Sequence, residues 1–172
     1  MKKGVIIQAS SRSDGNTSCI VSYLEKETNF DVIDLNQKDI KHFDYEFKNK
    51  DDDFQTLFKN ITESYDTILF VTPVYWYTMS GLLKVFLDRI SDFLFNEKDI
   101  GRRLRTMKMG VVSCSNEAGI IDGFAMPFKH SAAYLGLEYL GHLHTWVQER
   151  TIPKDVEQLI KAYASEKLLI HV

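Results

Sequence analysis

The alternation of short apolar runs with segments of helical periodicity is the feature that most constrains the fold of this chain. Three runs, at 4–8, 67–72 and 107–113, are mostly apolar. Strands buried on both faces of a sheet read as continuous apolar runs, so we predict that these three are the central strands of a parallel sheet. The segment 30–35 is more polar and alternates like an edge strand, and 137–145 is predicted to be the fifth strand.

Apolar residues at helical spacing predict five helices that alternate with these strands. The helices are predicted at 16–27, 51–64, 80–93, 123–135 and 154–169. Asp14 or Asn16 is the expected N-cap of the first helix, because both side chains accept hydrogen bonds from backbone amides. The alternation predicts an α/β fold in which right-handed crossovers cover both faces of the sheet. The length of the chain predicts a single domain over residues 1–172.

Composition and charge exclude several functional classes. The formal net charge of −3 argues against a general nucleic-acid-binding protein. No apolar run is long enough for a signal peptide or a membrane span, so no membrane association is predicted. The two cysteines, Cys19 and Cys114, do not make a disulfide framework. We therefore predict a cytoplasmic protein.

A polar loop connects the first predicted strand to the first helix. Residues 10–18 read Ser-Ser-Arg-Ser-Asp-Gly-Asn-Thr-Ser and offer hydroxyl, amide and guanidinium groups. Free backbone N–H groups and the helix dipole favour an anion at such a position, so we predict a bound phosphate; a well-capped helix is the alternative. The loop lacks Gly-x-Gly-x-x-Gly and Gly-x4-Gly-Lys-Ser/Thr, which argues against a dinucleotide fingerprint and a P-loop ATPase.

Two further loops follow predicted strands at the same edge of the sheet. The loop after the third strand contains three consecutive aromatic residues, Tyr75, Trp76 and Tyr77. Such side chains can flank a flat apolar ring and still satisfy their polar atoms, although they are also common at protein interfaces. The loop after the fourth strand, 113–119, is small and polar. A phosphate at the first loop and a planar ring between the other two predict FMN as the ligand.

Three motifs in these segments resemble those of a known family. They are Ser-x-Arg-x-x-Gly-Asn-Thr at Ser10–Thr17, Thr-Pro-Val-Tyr-Trp at Thr72–Trp76, and Gly-Leu-Leu-Lys-x-Phe-Leu-Asp-Arg at Gly81–Arg89. Together they resemble the flavodoxin-like NAD(P)H-dependent FMN reductases and NAD(P)H quinone reductases over residues 4–115. The resemblance implies a doubly wound, five-stranded parallel sheet of order 2-1-3-4-5, and a homodimer with the flavin near the subunit interface.

The resemblance also implies the residues of an FMN site. The phosphate would be held by Ser10, Arg12, Asn16, Thr17 and Ser18. The flavin would be lined on one side by Pro73, Val74, Tyr75, Trp76 and Tyr77, and on the other by Ser113, Cys114 and the residues after them. No catalytic side chain and no metal ligand are expected. Ala9 stands where the family often has glycine, the fourth loop lacks the Gly-Gly of many relatives, and the chain has no cysteine cluster for an iron–sulfur centre.

The implied activity is an oxidoreductase reaction carried by FMN. FMN would take a hydride from NAD(P)H and pass electrons to a quinone, flavin, azo or nitro acceptor by a ping-pong mechanism. A flavodoxin-type electron carrier without its own NAD(P)H site is the alternative. A third interpretation is a regulatory module that uses the same loop for another phosphate ligand.

Several other features have ordinary structural explanations. Lys84, Asp88 and Arg89 are interpreted as a helix ion pair with a dimer contact, and the basic run 98–108 as a solvated loop. Cys114 is interpreted as a small apolar residue rather than a reactive thiol. His142 and His144 lie on one face of a predicted strand but are too few for a metal site, and His130 is expected on a helix surface.

Overall fold

A single parallel sheet of five strands organises the computed structural model, which describes residues 3–169, without the side chain of Lys3. The strands are β1 (Lys3–Gln8), β2 (Asp31–Asp34), β3 (Tyr65–Pro73), β4 (Lys108–Ser115) and β5 (Glu138–Trp146). Their order is β2-β1-β3-β4-β5, and every neighbouring pair is parallel. This confirms the predicted sheet, including the three apolar runs as its inner strands and the more polar segment at one edge.

Six α-helices surround the sheet within residues 3–169, one more than predicted. They are α1 (Asn16–Thr28), α2 (Asp53–Ser64), α3 (Gly81–Phe95), α4 (Lys98–Arg103), α5 (Met126–Leu135) and α6 (Lys154–Tyr163). Among residues 3–169, no helix combines the length and apolar content that a membrane crossing requires. The strand order and the helices on both faces of the sheet confirm the predicted flavodoxin-like doubly wound fold.

Two hydrophobic cores lie on the two faces of the sheet. Side chains alternate along each strand, so Val5 and Ile7 belong to one core while Ile6 belongs to the other. The core that contains Ile6 is covered by α1 and α6, and the opposite core by α2, α3 and α5. All side chains named here are fully buried, as strands covered on both faces require.

Three predicted boundaries differ from the structure for local reasons. The prediction that the basic run is a solvated loop is wrong, because residues 98–103 form α4. In this helix Asp99 accepts a hydrogen bond from Arg102, one turn later. The helix predicted from residue 123 begins at Met126, with Pro127 in its first turn, a position that proline favours. The last helix ends at Tyr163 and continues as a π-helical turn, Ala164–Leu168.

The charged side chains of the Gly81–Arg89 motif in α3 form one ion pair on the surface and leave one charge buried. Lys84 pairs with Asp88 on the helix surface, as predicted. The prediction that Arg89 belongs to a dimer contact on the surface is wrong, because Arg89 is 1% exposed and pairs with Asp52 and Asp92. Its guanidinium also donates to the backbone carbonyls of Lys41 and Asn49, at 2.9 and 2.8 Å. Arg89 therefore attaches the connection between β2 and α2 to the body of the fold.

Gly110 of β4 is closely covered by side chains from its neighbours. A Cβ at this position would lie 2.6 Å from the hydroxyl of Tyr163 and 2.9 Å from Cδ1 of Leu69. We expect Gly110→Ala to lower the free energy of unfolding by about 1–3 kcal/mol, because the methyl group overpacks a filled core. Urea denaturation measures this, with Gly81→Ala as the control, since a Cβ there meets nothing within 4 Å. Equal stability of the two variants would contradict the prediction.

Candidate functional site

Three loops at the carboxyl ends of the strands enclose a cavity of about 630 Å³. They are the first loop (9–15, after β1), the third loop (74–80, after β3) and the fourth loop (116–125, after β4). The sheet order reverses between β1 and β3, which is where open α/β sheets bind their ligands. The volume is within the range of small-molecule sites. The lining consists of Arg12, Asn16, Thr17, Pro73, Val74, Tyr75, Tyr77, Cys114, Ser115, Asn116, Glu117, Gly119, Ile120 and Ile121.

The N-terminus of α1 opens into this cavity without a side-chain cap. Gly15 is the N-cap residue, so the prediction that Asp14 or Asn16 caps the helix is wrong. The first turn contains no acidic residue, and no carboxylate within the described chain lies within 4 Å of the Arg12 guanidinium. A Cβ on Gly15 would lie 3.6 Å from Nε of Arg12, so this cation lies beside the positive end of the helix. The positive end of the helix and the neighbouring guanidinium both favour an anion at this position.

The first loop is held in place by hydrogen bonds from its neighbours. The Ser13 hydroxyl accepts from Asn36 at 3.2 Å and from Gln37 at 2.9 Å, while Gln8 donates to the Ser13 carbonyl at 3.3 Å. The Ser80 hydroxyl donates to the carbonyl of Ala9 at 2.6 Å. The loop is therefore held in one conformation by Gln8 of β1, by the turn Leu35–Gln37 that follows β2, and by Ser80 at the start of α3.

The third loop contains a tight two-residue turn made of aromatic residues. Tyr75 and Thr78 exchange two backbone hydrogen bonds, at 2.9 and 3.0 Å. Trp76 and Tyr77 between them have φ values of 48° and 63°, a conformation that hairpin turns normally give to glycine or asparagine. The Tyr75 hydroxyl lies 3.1 Å from the hydroxyl of Ser11 and so connects the third loop to the first. This strained backbone turns the ring of Tyr77 into the cavity lining, while Trp76 is 92% exposed.

The fourth loop forms the opposite wall of the cavity. The side-chain amide of Asn16 donates to Oδ1 of Asn116 at 3.0 Å and connects this wall to the start of α1. The hydroxyl of Ser115 donates to the carbonyl of Glu117 at 2.7 Å and accepts from its amide at 3.0 Å. Apolar lining comes from Ile120 and Ile121. The sequence indicated this polar loop in general but gave no signal for the two isoleucines.

The structure brings eight of the twelve predicted site residues together around the cavity. These are Arg12, Asn16, Thr17, Pro73, Val74, Tyr75, Tyr77 and Cys114. The other four lie outside its lining. Ser10 is buried and its hydroxyl accepts from the amide of Arg12, Ser18 donates to the carbonyl of Gly15, and Trp76 points to solvent. Ser113 is fully buried and contacts two histidines instead.

Cys114 contributes a buried thiol to the floor of the cavity. Burial raises the pKa of this thiol to about 11. We expect Cys114 to resist alkylation by iodoacetamide at pH 7.5 in the folded protein, because only the thiolate reacts. Mass spectrometry of peptides from native and urea-unfolded protein measures the labelling. Equal labelling of Cys114 in both states would contradict this expectation, and the half-buried Cys19 is the internal comparison.

These features define a class of protein: a flavodoxin-like α/β protein whose uncapped first helix and aromatic loop border a cavity at the switch point of its sheet. Residues 2–122, well over half of the chain, match the family described as NADPH-dependent FMN reductase. The chain therefore belongs to the NADPH-dependent FMN reductase family, which makes it an FMN-binding, NAD(P)H-dependent oxidoreductase.

Individual relatives agree with this assignment. The chain is 25% identical over 151 residues to YwqN of Bacillus subtilis (strain 168), provisionally described as an NAD(P)H-dependent FMN-containing oxidoreductase, with 82% of this chain and 83% of that protein covered. Its fold matches the Trp repressor binding protein of Bacillus subtilis, with a TM-score of 0.72, 22% identity and 99% of both chains covered. It also matches an NADPH-quinone reductase from P. pentosaceus, with a TM-score of 0.69, 17% identity and coverage of 99% and 100%.

Proposed function

We propose that this protein binds the phosphate of FMN at the start of α1 and the flavin ring between the third and fourth loops. The N-terminus of α1, which has no side-chain cap and no acidic residue in its first turn and has Arg12 beside it, is the observation that carries the proposal. Thr17 lies in the same first turn and lines the cavity. Tyr75 and Tyr77 offer aromatic surface on one wall, and the fourth loop offers backbone groups on the other.

When bound, FMN would supply the redox chemistry, which is hydride transfer from NAD(P)H and electron transfer to a second substrate. The protein binds and orients the ring and leaves part of it accessible. Glu117 is the acidic residue among the lining residues, and the raised pKa keeps the Cys114 thiol protonated. Hydride transfer at a flavin requires no side-chain acid or base, so we assign none to the reaction. We propose a quinone, flavin, azo or nitro compound as the acceptor.

The visible spectrum of the purified protein tests this function. The protein is incubated with FMN, desalted, and mixed with NADPH without oxygen. We expect retained flavin absorbance that bleaches with NADPH and returns in air, and parallel lines in double-reciprocal plots with a quinone acceptor, the pattern of a ping-pong mechanism. Retained flavin that NADPH does not bleach would instead identify an electron carrier. Absence of retained or titratable FMN would contradict the proposed site.

We also propose that residues 1–172 act as one domain within a cytoplasmic homodimer. Large apolar side chains that remain exposed support a partner surface; they include Trp76, Tyr77, Phe95, Met126 and Tyr134. Both cysteines are free thiols, which suits a reducing compartment. Sedimentation velocity measures the assembly, and a monomer at micromolar concentration with FMN bound would contradict the dimer.

A further inference from the structure

Ser113 connects two histidines beneath the fourth loop. Its hydroxyl oxygen lies 2.8 Å from Nε2 of His142 and 2.8 Å from Nδ1 of His144. The register of β4 and β5 pairs Val111 with His142 and Ser113 with His144, which places all three polar side chains on one face of the sheet. Within residues 3–169, no group of three His, Cys, Asp or Glu residues is arranged to hold a metal. The cluster therefore needs another explanation.

When both imidazoles are neutral, the chemistry of the groups fixes which atom donates in each hydrogen bond of this cluster. Nε2 of His144 lies 3.0 Å from the carbonyl oxygen of Glu117, which can only accept, so this nitrogen carries the proton. Nδ1 of His144 must then accept from the Ser113 hydroxyl. The Ser113 oxygen in turn accepts from Nε2 of His142. The result is one directed chain that runs from His142 through Ser113 and His144 to a backbone carbonyl of the fourth loop.

Both ends of the fourth loop contact this hydrogen-bonded chain. Glu117, near its start, is the carbonyl that His144 holds, and Glu117 lines the cavity. Phe124, near its end, stacks on His142 with ring centroids 5.0 Å apart and an interplanar angle of 29°. The residues between them include Ile120 and Ile121, the apolar part of the wall. Ser113 therefore sets the positions of two histidines that support the loop from below.

We propose that Ser113 is a positioning residue, which orients His144 and His142 so that the fourth loop keeps the shape that receives the flavin ring. This inference rests on the proposed FMN site. It differs from the prediction that Ser113 itself lines the flavin, because Ser113 is not among the lining residues and its hydroxyl contacts the histidine pair. It also gives the two histidines a role that requires neither a metal nor a catalytic proton.

Substitutions at the centre of this hydrogen-bonded chain and at its contact with the loop test this role. Ser113→Ala removes the central hydroxyl and His144→Leu removes the bond to the loop, so each should raise the Kd for FMN on the order of tenfold. The double variant should bind FMN no more weakly than His144→Leu alone, because both changes break the same chain. Tyr163→Phe is the matched control: it removes another hydroxyl that donates to β5, at the Gly141 carbonyl, and should leave the Kd unchanged.

A second readout without flavin separates this inference from the proposed function. Amide hydrogen exchange of the ligand-free protein should accelerate at 116–125 in Ser113→Ala and His144→Leu, and not in Tyr163→Phe. ¹⁵N NMR of the wild-type imidazoles should show the proton on Nε2 in both rings. Wild-type exchange at the fourth loop in both variants, or a Kd within twofold of the wild type in both, would overturn the proposal. Failure of the wild type to bind FMN would instead contradict the proposed function.

Discussion

Arg89→Met is expected to lower the free energy of unfolding by about 3–5 kcal/mol, because it leaves two carboxylates buried without their partner. The side chain of Asp52 is fully buried and that of Asp92 is 5% exposed, and both accept hydrogen bonds from the guanidinium. Oδ1 of Asp92 is already buried without a hydrogen-bond partner among the described residues. The carbonyls of Lys41 and Asn49 would lose their donors as well. Urea denaturation followed by circular dichroism measures the effect.

Lys84→Met is the matched control for Arg89→Met. It removes a cation from the same helix, but its ion pair with Asp88 is solvent-exposed, so we expect a loss of about 0–1 kcal/mol. Similar losses for the two variants would show that burial of the charge does not decide its contribution. A loss below about 1 kcal/mol for Arg89→Met would also contradict the prediction.

The buried cluster of Arg89, Asp52 and Asp92 also predicts how stability changes in acid. Burial raises the pKa of Asp52, but hydrogen bonds from Arg89 and from the backbone amides of Lys41 and Phe54 outweigh it, so the pKa lies below 3.8. A carboxyl group with a lowered pKa stabilises the folded state above its unfolded pKa, and this contribution is lost as the pH falls through the folded value. The stability of the wild type should therefore fall below about pH 4, and the contribution from Asp52 should be absent in Arg89→Met.

The double variant Arg12→Ala/Thr17→Ala is expected to weaken FMN binding by about 10²- to 10⁴-fold. Each side chain is proposed to hold the phosphate, and a hydrogen bond to a charged group contributes about 1.5–3 kcal/mol. Arg12 is exposed, although Thr17 is buried in the first turn of α1, so circular dichroism must first establish that the variant folds. Quenching of flavin fluorescence measures the Kd.

Riboflavin provides the control for this experiment, because it has the same ring but no phosphate. Its Kd should be the same for the wild type and the double variant. If the variant weakens FMN and riboflavin equally, the two residues do not act on the phosphate and the assignment of the first loop fails. If neither affinity changes, the anion site at the start of α1 is not the FMN site.

Local sequence patterns predicted much of the fold and the general position of the site. The three apolar runs indicated the inner strands because burial on both faces of a sheet favours apolar side chains along the whole strand. The first and third loops were recognisable because their hydroxyl, guanidinium and aromatic groups follow strands directly. The short helix α4 was missed, because a basic segment reads alike whether its charges lie on a loop or on the exposed face of a helix.

Long-range contacts decided the features that the sequence could not show. Arg89 and Asp52 are 37 residues apart in the chain, and nothing local distinguishes this buried arginine from the exposed Lys84 five residues earlier. Ser113 and His144 are 31 residues apart, and only the register of β4 against β5 places them in contact. The sequence by itself determined which segments form strands, helices and ligand-facing loops, because those depend on local periodicity. The tertiary structure alone decided which polar side chains face the cavity and which support it from behind, because a change of one residue along a strand reverses the direction of its side chain.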